Sequence, residues 1–188
     1  ISAIDVIMVF PAWGTGSGAV YRIDNVKFEE PSITYPELVL FEDAINSEWP
    51  LWDCCAGSTP TEEFDDAEHG MVAEFSVLGS PETVQGFFGR DNGSFDASAL
   101  LADGVIQFDM KVVTAPSNAD AVWLMKLEAG GNTSNTGDIP LNTSQEGSDP
   151  VTGEWQTYTF KLSDLADAGL DISAIDVVMV FPAWGTGA

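Results

Sequence analysis

The sequence predicts an all-β chain, an antiparallel β-sandwich, and three observations predict it. Runs of alternating apolar and polar residues recur between turn signals. A helical period is nearly absent. The chain also repeats itself at its two ends. Residues 1–17 read ISAIDVIMVFPAWGTGS and residues 172–188 read ISAIDVVMVFPAWGTGA, differing only at Ile7/Val178 and Ser17/Ala188. Identity of this extent at one register is the signature of a tandem array.

The expected strands follow in order. They are 37–43 (ELVLFED), 70–78 (GMVAEFSVL), 83–90 (TVQGFFGR), 104–113 (GVIQFDMKVV), 120–129 (DAVWLMKLEA), 154–163 (EWQTYTFKLS) and 174–184 (AIDVVMVFPAW). The first end copy adds 3–13, and 19–28 (AVYRIDNVKF) follows it. In 104–113, Ile106, Phe108, Met110 and Val112 oppose Gln107, Asp109 and Lys111. In 154–163, Tyr158, Phe160 and Leu162 oppose Thr157, Thr159 and Lys161. Period two with one polar face indicates antiparallel sheet. AIDVVMVF is apolar on both faces, so it reads as a central strand covered on both sides. Two short helical turns are expected, at 95–104 and at 163–171, the second capped by Ser163 and stopped by Gly169. Seven or eight such strands give a sandwich of the jelly-roll kind.

The repeat sets the expected domain plan. Residues 1–28 read as the C-terminal strands of a preceding repeat, 29–37 as a linker stiffened by Pro31 and Pro36, and 38–188 as one module lacking its final strand. The stretch 18–28 carries a copy of that strand. It is supplied by the N-terminal repeat copy, by a neighbouring chain, or by the next repeat. The mid-domain start at Ile1 reads as a piece of a longer protein, with any export signal upstream.

Composition narrows the function classes. The net charge of −24, from 30 acidic and 6 basic residues, repels nucleic acid and anionic membranes. It suits a salty medium, cation binding, or plain solubility. No run of 18 apolar residues exists to span a bilayer. Low lysine, acidity and polar loops suit a secreted or cell-surface protein. Hydrophobic content of 45 % is enough for a packed core. The loops at 51–66 and 130–153 are long and polar, which in compact domains marks function or floppiness. Asn92, Asn132 and Asn142 each begin an N-x-Ser/Thr triplet and read as turn residues.

Candidate site residues come next. Tryptophan stacks on the apolar face of a sugar ring while polar neighbours bond its hydroxyls. Trp52 sits in a Gly/Pro loop, Trp184 at a strand end among glycines, and Trp123 inside a strand; the alternative for each is core packing. Arg90, in GRDNG, offers forked donors to a hydroxyl-rich ligand or pairs with a carboxylate. Lys111 and Lys126 read as polar floor residues of a groove or as solvated pairs. Cys54 and Cys55 are adjacent: a vicinal disulfide forming a rigid apolar plate, two free thiols, or pairing between chains. Glu42, Asp43, Asp66, Glu68 and Asp24 are candidate ligands for a hard cation such as calcium, because first and last strands of a jelly roll lie side by side. Nucleophile-elbow, zincin and P-loop motifs are missing, and the sole histidine, His69, has no indicated nucleophile, so no catalysis is expected.

These residues together resemble a family. GEWQTYTFKLSDL (153–165), ISAIDVVMVFPAW and AVYRIDNV are similar to the tail of jelly-roll carbohydrate-binding modules. Such modules are appended to laminarinase-like and exo-β-glucanase hydrolases of marine bacteria. LFEDAINSEW and DDAEHGMVAEF resemble their opening strands. The resemblance implies sugar binding on aromatic residues without hydrolysis, with a β-glucan such as laminarin as the expected ligand. It also implies a structural calcium held by a first-strand Glu and a final-strand Asp, positions that Glu42 and Asp24 match. The rival expectation is a structural repeat of an extracellular fibre or adhesin stalk. It would assemble head-to-tail with identical chains or neighbouring repeats by strand complementation.

Overall fold

A computed structural model of the chain describes residues 20, 22, 37–53, 61–77 and 86–183. The chain divides into two compact units, Ile1–Thr34 and Tyr35–Ala188. Everything below concerns the second.

The described residues are predominantly β. The strands are β1 (Leu51–Asp53), β2 (Thr61–Asp66), β3 (Gly70–Phe75), β4 (Gly86–Gly89), β5 (Val105–Lys111), β6 (Trp123–Ala129), β7 (Ser134–Asn135), β8 (Ile139–Pro140), β9 (Trp155–Lys161) and β10 (Ile175–Pro182). Among the described residues one α-helix, α1 (Leu162–Asp167), and two 3-10 turns join them. Every strand pairing is antiparallel. The main sheet runs β1-β4-β10-β6-β7, with β8 also on β6; β2–β3 and β5–β9 form two-stranded ladders. Among the described residues no helix is long and apolar enough to cross a membrane.

β10 occupies the centre of the main sheet, between β4 and β6. Its residues divide between two apolar clusters. Ile175 and Val178 join the principal core with Met125 and Leu127 of β6 and Tyr158 and Phe160 of β9. Met179 and Phe181 join a second cluster with Leu124, against which Phe87 and Val177 pack. A strand apolar on both faces is thus placed where both faces are covered. The polar exception, Asp176, is the extra residue of a β-bulge, since Ile175 opposes Ala129 and Val177 opposes Glu128. Its carboxylate turns aside to accept the Gly131 N–H.

The β5–β9 ladder pairs Val105 with Lys161 through Lys111 with Trp155. Ile106, Phe108 and Met110 pack on the principal core, as the alternation requires. β9 departs from it at Thr159, which is buried although it belongs to the polar face. The loop before β9 runs along its edge here. Gln145 N–H donates to the Thr159 carbonyl (2.9 Å), and Thr159 N–H donates to the Glu146 carboxylate (2.8 Å).

Other expectations are corrected. Residues 37–43 form no strand; Phe41 makes an isolated bridge to Ile45 around Asp43, whose φ is 55°. The Asn46 amide donates to the Val39 carbonyl at 2.8 Å, so local bonds displace a ladder there. The 51–66 loop instead contains β1 and β2, and β2 owes its strand to in-register pairing with β3 rather than to apolar alternation. The 130–153 loop contains β7, β8 and a 3-10 turn. α1 begins at Leu162, with Lys161 at its N-cap, so Ser163 lies inside the helix and does not cap it. It ends where expected, with Gly169 at φ 116° just beyond Ala168.

Candidate functional site

One face of the main sheet gathers several expected residues. Residues directly opposite across a ladder share a face. Trp52 opposes Phe87, Gly89 opposes Val177, and Glu128, Lys126 and Leu124 oppose Val177, Met179 and Phe181. That face therefore carries Trp52 at one side and the Lys126–Glu128 pair three strands away, roughly 14 Å at about 4.8 Å per strand. The Trp52 indole is fixed against Gly89. A Cβ on Gly89 would lie 2.9 Å from its Cδ1 and 2.8 Å from the Phe87 ring, so both rings lean over the space that this glycine leaves empty. The Trp52 Nε1–H donates to the Gly89 carbonyl at 3.2 Å. The residue remains 44 % exposed. A glycine inside the FFGR strand run is the sequence signal for such a close approach, although Phe87 and Gly89 were not among the expected site residues.

Lys126 and Glu128, two residues apart on β6, form an ion pair of 2.8 Å with side chains only 17 % and 14 % exposed. A charge this far removed from water needs its partner. The ammonium carries three donors, so a carboxylate-anchored lysine beside Met179 suits a hydroxyl-bearing ligand.

Trp123 faces the other way. It opposes Pro182, one residue out of phase with the Leu124–Phe181 pair. There it lines a cavity of about 300 Å³ with Val77, Thr114, Ala115, Pro116, Ser117 and Pro182. Arg90 takes the ion-pair alternative. Its Nη2 lies 2.9 Å from the Glu48 carboxylate, its Nε donates to the Asn92 carbonyl, and its guanidinium sits 6.0 Å from the Trp49 ring centroid. Cys54, Cys55, Trp184 and Asp24 lie outside the described residues.

The four described carboxylates of the expected cation site fall into two places. Glu42 and Asp43 lie in the exposed loop before Ile45, whose N–H donates to the Glu63 carboxylate of β2 at 3.0 Å. Asp43 reaches the β2–β3 hairpin, its Oδ1 lying 3.1 Å from where a Cβ on Gly70 would stand. Asp66 and Glu68 turn to Lys111 instead, at 3.7 and 2.9 Å. Among the described residues no three His, Cys, Asp or Glu side chains converge as metal ligands.

Sequence reasoning also missed how the turn 66–69 engages the β5–β9 ladder. His69 stacks on Trp155 with centroids 4.0 Å apart, and Trp155 Nε1–H donates to Asp66 at 3.4 Å. Asp66 also accepts the backbone N–H groups of Glu68 and His69. The Glu68 N–H bond, with the Lys111 charge and the indole N–H, holds the Asp66 carboxyl below its ordinary value against the opposing effect of desolvation. Lys111 is raised in turn, chiefly by its bond to Glu68. The three partners are far apart in sequence, so only a tertiary fold reveals the cluster.

Comparisons with protein-family models, with curated proteins and with solved structures each return no match.

Proposed function

We propose that this chain is a non-catalytic, extracellular polysaccharide-binding module, with a β-glucan such as laminarin as its ligand. In this reading the two layers that share the principal core form a jelly-roll sandwich. A strand with the sequence of Tyr21–Phe28 closes it, from this molecule or another. The observation that carries the proposal is Trp52, a half-exposed indole tied by its ring nitrogen to Gly89, with the Lys126–Glu128 pair on the same face. An exposed aromatic surface, with a fixed polar pair further along the same face, suits a ligand whose rings have one apolar face and a rim of hydroxyls. The resemblance to carbohydrate-binding modules supports the same reading.

Retardation in native gels containing laminarin, agarose or alginate tests it. Wild-type protein is expected to be slowed by laminarin, and Trp52→Ala to weaken that binding about tenfold, or ~1.4 kcal/mol. A mobility unchanged by all three polysaccharides would remove the proposal.

Structural calcium belongs to the same proposal, supported by the match of Glu42 and Asp24 to the calcium-binding positions of the modules that the chain resembles. A bound ion stabilises the folded state by mass action. Chelator is therefore expected to lower the Tm, and calcium to restore it. An identical Tm with and without chelator would exclude this part.

The near-perfect end repeat favours a second reading, in which the chain is a structural unit of an extracellular fibre and strand exchange joins successive units. Filaments seen by electron microscopy, together with no retention on any glycan, would select it.

A further inference from the structure

We propose that the cavity at Trp123 is a second binding site, separate from the sheet face at Trp52, and that it holds one uncharged sugar ring at the end of a glycan chain. This rests on the polysaccharide-binding reading above and assigns the manner in which a terminal ring is taken.

Position comes first. The cavity lies where β10 ends at Pro182 and β6 begins at Trp123, beneath the segment Thr114–Ser117 that follows β5. Trp123 and Pro182 point to the face of the main sheet opposite Trp52, because the ladder alternates between them and the Leu124–Phe181 pair. A straight glycan lying along the Trp52 face cannot also stack on Trp123. The two tryptophans therefore serve separate ligand segments.

Size limits the occupant. The volume of about 300 Å³ stands at the bottom of the ~300–1,000 Å³ range of small-molecule pockets. That is room enough for one pyranose ring. The cavity is partly open to solvent, so the rest of a chain can leave there, and a terminal ring is the part proposed to enter.

Chemistry limits it further. Val77, Ala115, Pro116 and Pro182 are apolar, Trp123 presents an aromatic ring, and Thr114 and Ser117 supply hydroxyl groups. Among the described residues no charged side chain lines the cavity. A carboxylated or sulfated ring would enter without a counter-charge, into a protein whose net charge is −24. A neutral ring meets neither cost.

The test is calorimetric and NMR titration of the intact chain with methyl β-D-glucopyranoside, methyl β-D-glucuronide and laminarin. The glucoside is expected to bind saturably in the millimolar range, and the glucuronide at least tenfold more weakly. Trp123→Ala and Ala115→Leu are each expected to lower glucoside affinity at least tenfold. Ala115 is exposed at the rim, so its replacement fills the cavity without removing core contacts and carries the test should Trp123→Ala fail to fold. Glucoside binding indifferent to both variants, or glucuronide binding as tight as the glucoside, overturns this inference. Laminarin retention that still depends on Trp52 would then leave the proposed function standing. A wild-type protein that binds neither glucoside nor laminarin overturns both.

Discussion

β9 and β10 are neighbours in sequence and differ in what lies on their second face. β10 is apolar throughout and meets side chains on both sides: Val178 in the principal core, Met179 and Phe181 in the second cluster. β9 has one apolar face, and its other face is polar by sequence. Yet Thr159 on that face is buried, with the 145–146 segment bonded to its backbone along the edge of β9. Gln107 Nε2 donates to the Thr159 hydroxyl at 3.0 Å from the adjacent strand. A polar residue in a strand therefore marks a face without a hydrophobic layer, which is a different thing from a face open to water.

The largest test of this contrast is Phe181→Ala. Phe181 is 1 % exposed on the face of β10 away from the principal core. Truncation of a buried phenylalanine is expected to cost about 3–5 kcal/mol. A denaturant titration showing less than ~1 kcal/mol would mean that the second cluster is not a true core. Thr159→Val comes next, at about 1 kcal/mol, since it leaves the Gln107 amide without its acceptor. Hydrogen exchange at Gln145 and Thr159 is expected to quicken with it, whereas Thr157→Val on the exposed part of the same face should leave exchange there unaltered. The smallest effect belongs to Asp66, the carboxylate joining the β2–β3 turn to β9. Its pKa is lowered on folding, so its stabilisation is present above the unfolded aspartate value and lost as pH falls through the folded one. Asp66→Asn is thus expected to lower the Tm at neutral pH, with the gap to wild type closing below about pH 3.8. A gap of constant size across that range would assign the effect to packing.

The strands with strong periodic patterns were legible. β5, β6, β9 and β10 fall inside the expected runs, and the two-sided burial of β10 was readable from AIDVVMVF alone. β2 was not, because TEEFDD exposes Glu62, Glu63 and Asp65 and owes its extension to β3. Leu38 and Leu40 do pack on the core, but the side-chain bonds around Asn46 bend the chain before a ladder forms. At the candidate site, Trp52 and Trp123 were picked out by residue type. Their separation onto opposite faces depends on strand register, which sequence does not encode locally. Arg90 was identified as a cation, but its choice of Glu48, forty-two residues away, required the fold.

The hydrogen bond from the Trp52 ring nitrogen to Gly89 limits what that tryptophan can discriminate. With its one polar atom committed to the protein's own backbone, the indole offers a ligand only its π-face. Under the proposed polysaccharide binding, such a surface would be indifferent to which way a ring's hydroxyls point. Telling one epimer from another would then fall to other side chains of that face, so the proposal directs a search for altered selectivity away from Trp52.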